Sequence, residues 1–316
     1  MVYEITDENE IKLLHFSNLP FDENDINSCE GTACFRPVEV LLSGLNRPGE
    51  RHGTKYTYTA PGYRLKYKDM KDYRNETGRK LEILMEDKPT GLEVCSNIQF
   101  YDGISVIRSW TELKNNGEED LGVEYVSSFA LLGIDKEGLL STDEKLEVLI
   151  ARNAWQKELI WNRFSMDQLG MSISQPDKVR RSSQTISVGN TGNWSTKNYL
   201  PMGCLKNKET DSILFWQIEQ NGSWYWEISD QDGHMYLQLS GPTEHQSHWW
   251  KNLKPGDTFA SVPVSVGSAC GDVEEAAGEL TKYRRAIRRK NEDNEKLPVI
   301  FNDYMNCLWG DPTTEK

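Results

Sequence analysis

Residues 211–240 constrain the fold more than any other stretch. Segments 213–219, 224–229 and 235–239 are short runs rich in β-branched and aromatic residues, the types that suit a half-buried pleated surface. Trp224, Trp226 and Ile228 alternate with Tyr225 and Glu227, which is the period of a strand. Asn221-Gly222 and Asp232-Gly233 separate the runs, and both dipeptides supply the positive φ of tight hairpin turns. The spacing predicts three adjoining strands in one antiparallel sheet. Similar segments read as strands at 11–16, 38–42, 63–68, 80–85, 92–100, 105–113 and 123–133, with turns at Asp102-Gly103 and Asn115-Asn116-Gly117. Residues 145–164 have mixed apolar spacing and also read as strand. Little helical period competes before residue 270, so the fold class expected is mainly β, a sandwich of two large sheets.

One helix is expected after it. Asp272 is a good N-cap, with Glu275 three residues on as a capping box requires. Val273, Ala276, Ala277, Leu280, Tyr283 and Ile287 form one apolar stripe. Glu274, Glu275 and Glu279 come early, and Arg284, Arg285, Arg288, Arg289 and Lys290 late, in the order that suits the helix dipole. The basic group reads as a solvated helix end, not a nucleic-acid patch. Residues 291–296 are a polar linker. The last twenty residues, LPVIFNDYMNCLWGDPTTEK, then begin as a buried strand: Pro298 opens it and Val299, Ile300 and Phe301 are apolar. The chain turns polar at Asn302 and Asp303. The first strand of a β/α barrel reads this way, with functional side chains at its C-terminal end. Residues 1–270 are therefore expected to form the β domain, 271–296 a linking helix, and 297–316 the start of a truncated barrel.

Charge and cysteine usage narrow the partners. Lys plus Arg number 36 against 49 Asp plus Glu, a net charge of −13, and such a surface repels phosphate backbones and anionic lipid. Neither nucleic acid nor membrane is expected as a partner, and no apolar run is long enough to span a bilayer. The acidic start MVYEITDENE lacks the apolar stretch of a signal peptide, so the cytoplasm is the compartment expected. Six cysteines at irregular spacing, with no Cys-x-x-Cys pair, read as free thiols. Ten Trp and thirteen Tyr suit a sandwich core, a carbohydrate-facing surface, or both.

Motifs for chemistry are sparse. There is no Gly-rich phosphate loop and no Gly-x-Ser-x-Gly elbow. His245 and His248 are three apart with Glu244 beside them, between Gly241-Pro242 and a Trp pair. That is not the i, i+4 spacing of a helical metal pair, so the stretch reads as loop and no metal or cofactor is expected. The 46–61 loop, NRPGERHGTKYTYTAP, is the best binding candidate. Its length, and its mixture of Arg51, His52, Lys55, Tyr56 and Tyr58, mark a functional loop.

The phrases APGYRLKYKD (60–69), RNAWQKELIW (152–161), LKPGDTFASVPVSVG (253–267), TKYRRAIRR (281–289) and PVIFND (298–303) occur in an order that resembles the N-terminal region of glycoside hydrolase family 36 α-galactosidases. The resemblance runs over most of the chain. It implies a β-supersandwich like that of galactose mutarotases, followed by a catalytic β/α barrel. It also implies a retaining mechanism with two aspartates on later barrel strands, so no catalytic residue falls in this chain. Relatives commonly show Asn-Asn-Trp-Glu-Ala on the first barrel strand, where this sequence has Asn302-Asp303-Tyr304-Met305-Asn306. Asp303, Tyr304 and Asn306 are thus substrate-binding candidates, with Tyr304 where the family has a Trp walling the sugar subsite. The family's members are often tetramers in which an N-terminal loop reaches a neighbour's active site. The 46–61 loop looks like that element, with Arg51, His52 and Lys55 as candidates by residue type.

The resemblance implies an α-galactoside oligosaccharide as ligand and a homo-oligomeric parent, with this segment serving oligomerisation and shaping of the substrate entrance. Two other readings stand beside it. A free-standing carbohydrate-binding module would have no use for the apolar tail at 299–301. An aldose epimerase-like protein would need a His and a Glu in one cleft, with His234 or His245 to try.

Overall fold

Two twisted antiparallel sheets lie face to face, and every strand pairing among the described residues is antiparallel. The structure, a computed structural model, describes residues 1–22, 36–45, 55–171, 184–231 and 233–300. Along the chain, β1 (Val2–Ile5) and β2 (Ile11–His15) form a separate hairpin, and β3 (Val40–Leu42) precedes a one-turn helix α1 (Ala60–Arg64). Strands β4 (Lys66–Asn75), β5 (Gly78–Asp87), β6 (Leu92–Tyr101), β7 (Val106–Asn115) and β8 (Leu121–Leu132) follow. After α2 (Thr142–Lys145) come β9 (Leu146–Ala154), β10 (Lys157–Ser165), β11 (Ile186–Asn190), β12 (Tyr199–Asn207), β13 (Ser212–Ile218), β14 (Trp224–Gln231) and β15 (His234–Ser240). The chain ends in α3 (Glu244–Ser247), β16 (Lys251–Leu253), β17 (Thr258–Ala260), β18 (Val264–Cys270), α4 (Val273–Ile287) and α5 (Glu292–Lys296).

The larger sheet has ten strands in the order β10-β9-β12-β13-β18-β7-β6-β5-β4, with β17 also beside β7. The smaller has six, β11-β14-β15-β8-β16, with β3 also on β8. The mainly-β, antiparallel sandwich expected from the periodicity is what the chain forms. Apolar side chains from both inner faces make the main core, among them Ile98, Ile107, Val148, Leu205, Trp216 and Val266 against Phe129, Leu131, Trp226, Ile228, Leu237 and Leu239. Edge strand β4 is kept from pairing further by its charge, with Lys66, Lys68, Lys71 and Arg74 along its length.

The expected meander is corrected. Strand β13 pairs with β12 and β18 in the large sheet, whereas β14 pairs with β11 and β15 in the small one. Asn221-Gly222 is part of a crossover between sheets, and only β14 and β15 form the expected hairpin. The physical reason is burial. Trp216 on β13 and Trp226 on β14 meet edge to face across the core, ring centres 5.1 Å apart at 77°. A hairpin would set these rings side by side on one face; the crossover sets them against each other, and both are fully buried.

Other expectations shift locally. Residues 63–68 read as strand, but Thr59 caps α1, its hydroxyl accepting from the Gly62 amide, and β4 starts only at Lys66. The mixed spacing of 145–164 is two strands, β9 and β10, joined by a tight turn. Residues 244–247 form a helical turn, not loop, because the Thr243 hydroxyl caps it. The Asp272 capping box and the α4 stripe form as expected: Ala276, Leu280 and Tyr283 are buried on the outer face of the large sheet against Leu149, Cys204, Ile213 and Phe215. The polar linker expected after α4 contains α5, capped by Asn291. Residues 298–300 form no strand; Val299 is 100% and Ile300 84% exposed. Phe301 and the rest of the tail lie outside the described residues.

Candidate functional site: a strap over a buried carboxylate cluster

The outer face of the small sheet is polar and yet buried. Alternation on β14 points Trp224, Trp226 and Ile228 into the core, leaving Tyr225, Glu227 and Ser229 on the other side, and all of them are buried. Register sets Tyr225 opposite Ser240, Glu227 opposite Gln238 and Ser229 opposite Tyr236. What covers them is residues 55–59, a strap that runs across this face before α1. Tyr56 stacks on Tyr125 of β8, ring centres 3.9 Å apart at 9°, with the edge of Tyr225 5.7 Å away. Its hydroxyl donates to Gln246 Oε1 at 2.7 Å, tying the strap to α3.

Three acidic groups hold the strap down. Lys55 Nζ donates to Asp230 Oδ1 at 2.7 Å and to the Asp230 carbonyl at 3.0 Å, and the lysine is 1% exposed. Glu227 accepts from the Tyr56 amide at 2.9 Å and from the hydroxyls of Tyr225 and Tyr236 at 2.8 Å each. Glu39, on the residue before β3, accepts from the amides of Tyr58 and Thr59 at 3.0 Å each and from the Thr59 hydroxyl. Tyr58 sits at φ 55°, a left-handed conformation, and its amide and that of Thr59 both point at Glu39. These backbone donors satisfy groups that would otherwise be buried without partners.

Burial dominates the electrostatics. It pushes the Glu39 carboxyl up to about 7, against the pull of the Thr59 and Tyr58 hydrogen bonds and of the Arg36 charge. Burial raises Glu227 in the same way, opposed by the Tyr56 amide, the Tyr225 and Tyr236 hydroxyls and the Lys55 charge. The tyrosines around it are held well above their ordinary range by burial and by the Glu227 charge. Buried in this way, the cluster anchors the strap: Glu227 serves three protein donors. Among the described residues no histidine joins Glu227. His234 instead lies 3.8 Å from Asp135, and His245 is exposed on α3.

The expected site residues separate. Lys55 lies inside, on Asp230, where its ammonium fixes the strap. Arg51, His52, Asp303, Tyr304 and Asn306 lie outside the described residues. Among the described residues no group of three or more His, Cys, Asp or Glu could hold a metal ion. Sequence reasoning missed Glu39, Glu227 and Asp230. A signal existed for two parts of the cluster: Glu39 is a lone charge inside the apolar run 38–42, and Tyr56-Thr57-Tyr58-Thr59 has the alternation of a half-buried segment.

Fold and strap together define a large two-sheet antiparallel β domain, one face of which is closed by its own chain. The two-sheet fold is similar to part of solved glycoside hydrolase family 36 α-galactosidases. The AgaA enzyme of Geobacillus stearothermophilus, in complex with 1-deoxygalactonojirimycin, matches 93% of this chain with a TM-score of 0.70 at 15% identity. AgaB from the same organism matches 96% with a TM-score of 0.70 at 14% identity, and the α-galactosidase of Lactobacillus brevis 90% with 0.63 at 13%. The matches cover 42%, 43% and 40% of those chains, so this chain spans less than half the length of each. No protein-family model and no curated protein sequence matches it. At this identity the likeness is one of fold.

Proposed function

We propose that the chain is the N-terminal part of a retaining α-galactosidase that hydrolyses terminal α-galactosides. In this reading residues 1–270 are the β domain, 271–296 the link, and 297–316 enter the first strand of the catalytic barrel. The observation that carries it is the shared fold over 93–96% of the chain with family 36 α-galactosidases more than twice its length. The strap adds support. A loop that is to shape a substrate entrance needs a rigid base, and residues 55–59 supply one directly after Arg51 and His52. Asp303, Tyr304 and Asn306 would meet the sugar at the barrel mouth, while the catalytic aspartates would lie downstream. The parent would be a cytoplasmic homo-oligomer, and the net charge of −13 speaks against nucleic acid or anionic membrane as partner.

Hydrolysis of a chromogenic α-galactoside tests the reading, with this chain compared with one extended through the following reading frame. Activity is expected only in the extended protein. Activity in the 316-residue chain would place the chemistry in the sandwich and overturn the domain assignment, and silence from both would overturn the substrate.

A further inference from the structure

The outer face of the large sheet carries an open groove of about 750 Å³ beside α4. Its lining is mostly apolar, with Leu159 and Trp161 of β10, Met202 of β12, and Leu280 and Ile287 of α4; Gln217 and Glu219 also reach it, the carboxylate already paired with Arg108 and Tyr283. Arg284, Arg285 and Arg288 stand along its rim. Leu159 is 56% exposed, and Trp155, in the turn that leads into edge strand β10, is 84% exposed. Leu159 is also held at φ 52°, at a break in the β9–β10 register. A leucine kept in a left-handed conformation and still facing water is strained without a visible return within this domain.

We infer that this groove seats the catalytic domain of the same longer chain, through an apolar patch edged by carboxylates; the inference rests on the α-galactosidase reading above. Continuity of the chain points to that occupant. Ile287 and Arg288, the last residues of α4 and the next, form the groove's own wall, so whatever follows leaves from this side. The residues that follow include exposed Leu297, Val299 and Ile300, apolar side chains with no cover in the described structure. The solved structures with this fold continue for more than as many residues again. Charge points to the chemistry: three arginines on the rim, in a chain of net −13, suit a surface whose rim carries Asp and Glu. Tethering by α5 makes the contact intramolecular, so a modest apolar area suffices to hold it.

Hydroxyl-radical footprinting of the 316-residue chain and of the extended chain tests this. Oxidation of Trp155, Leu159 and Trp161 is expected to fall by about fivefold or more in the extended chain, as side chains at an interface core lose solvent. Trp250, exposed just before β16 of the small sheet, should keep its rate. A Leu159→Asp, Ala277→Glu variant of the extended chain should restore oxidation at Trp155 without lowering the oxidation of Trp250. Protection in an extended chain that hydrolyses no α-galactoside would uphold the docking and defeat the substrate assignment. Hydrolysis without protection would overturn the docking and leave the function standing. Protection that appears in the 316-residue chain itself and grows with concentration would overturn the inference in favour of a second copy.

Discussion

Glu39 sits within an apolar run, where its carboxyl is desolvated and its pKa stands near 7 against an ordinary 4.5. The sign of the linkage follows. A carboxyl raised in the folded state contributes stability that is fully present below about 4.5 and is lost as pH rises through about 7. Glu39→Gln should abolish that part of the pH dependence. In urea unfolding at pH 5 and pH 8, the wild type should lose up to about 3 kcal/mol more than the variant between the two conditions. Glu227 is raised in the same direction and is present in both proteins, so it cancels in the comparison. Equal losses in the two proteins would mean that water reaches Glu39. The lone carboxyl in Val38-Glu39-Val40 was visible in the sequence, but its partners were not. Tyr58 and Thr59 lie 19 and 20 residues on, and only the path of the strap brings their amides to it.

The strap shows why an element can be misread when its burial comes from elsewhere. Residues 55–59 belong to a stretch with the Gly, Pro and charge content of a loop, and nothing local says that a sheet face lies beneath. Strand β14 has the matching ambiguity: its Tyr225 and Glu227 alternate with core residues as a solvent face would, yet every residue of the strand is buried. The Lys55–Asp230 pair locks the two together. Lys55→Ala would leave Asp230 desolvated beside an empty site, and should cost about 3–5 kcal/mol of stability in chemical denaturation. A loss below about 1 kcal/mol would indicate a solvated pair of the kind found on surfaces. Helix α4 lies at the opposite extreme. Its cap, stripe and charge order were all legible, because cap and stripe depend on residues within four positions of one another and the charge order only on place along one helix.

At the scale of the whole molecule the decisive contact is between sheets. Trp216 packs over Gly203, its β12 partner, and an added Cβ there would come within 2.5 Å of the indole. Gly203→Ala should therefore destabilise by about 1–3 kcal/mol through overpacking, with the denaturant slope unchanged. A neutral result would mean that the Trp216–Trp226 contact can slide. The sequence by itself determined the strand period, the mainly-β class, the helix that closes the domain and the acidic surface. Each of these is set by local spacing or by composition, which the chain carries wherever it goes. Only the tertiary structure decided which strands share a sheet, that Asn221-Gly222 lies in a crossover between sheets, and that Lys55, Glu39 and Glu227 meet under a strap. Those outcomes depend on which apolar faces find each other and on which polar groups must then be satisfied in the interior. Both are properties of residues brought together across long gaps, 175 positions for Lys55 and Asp230 and 190 for Tyr56 and Gln246.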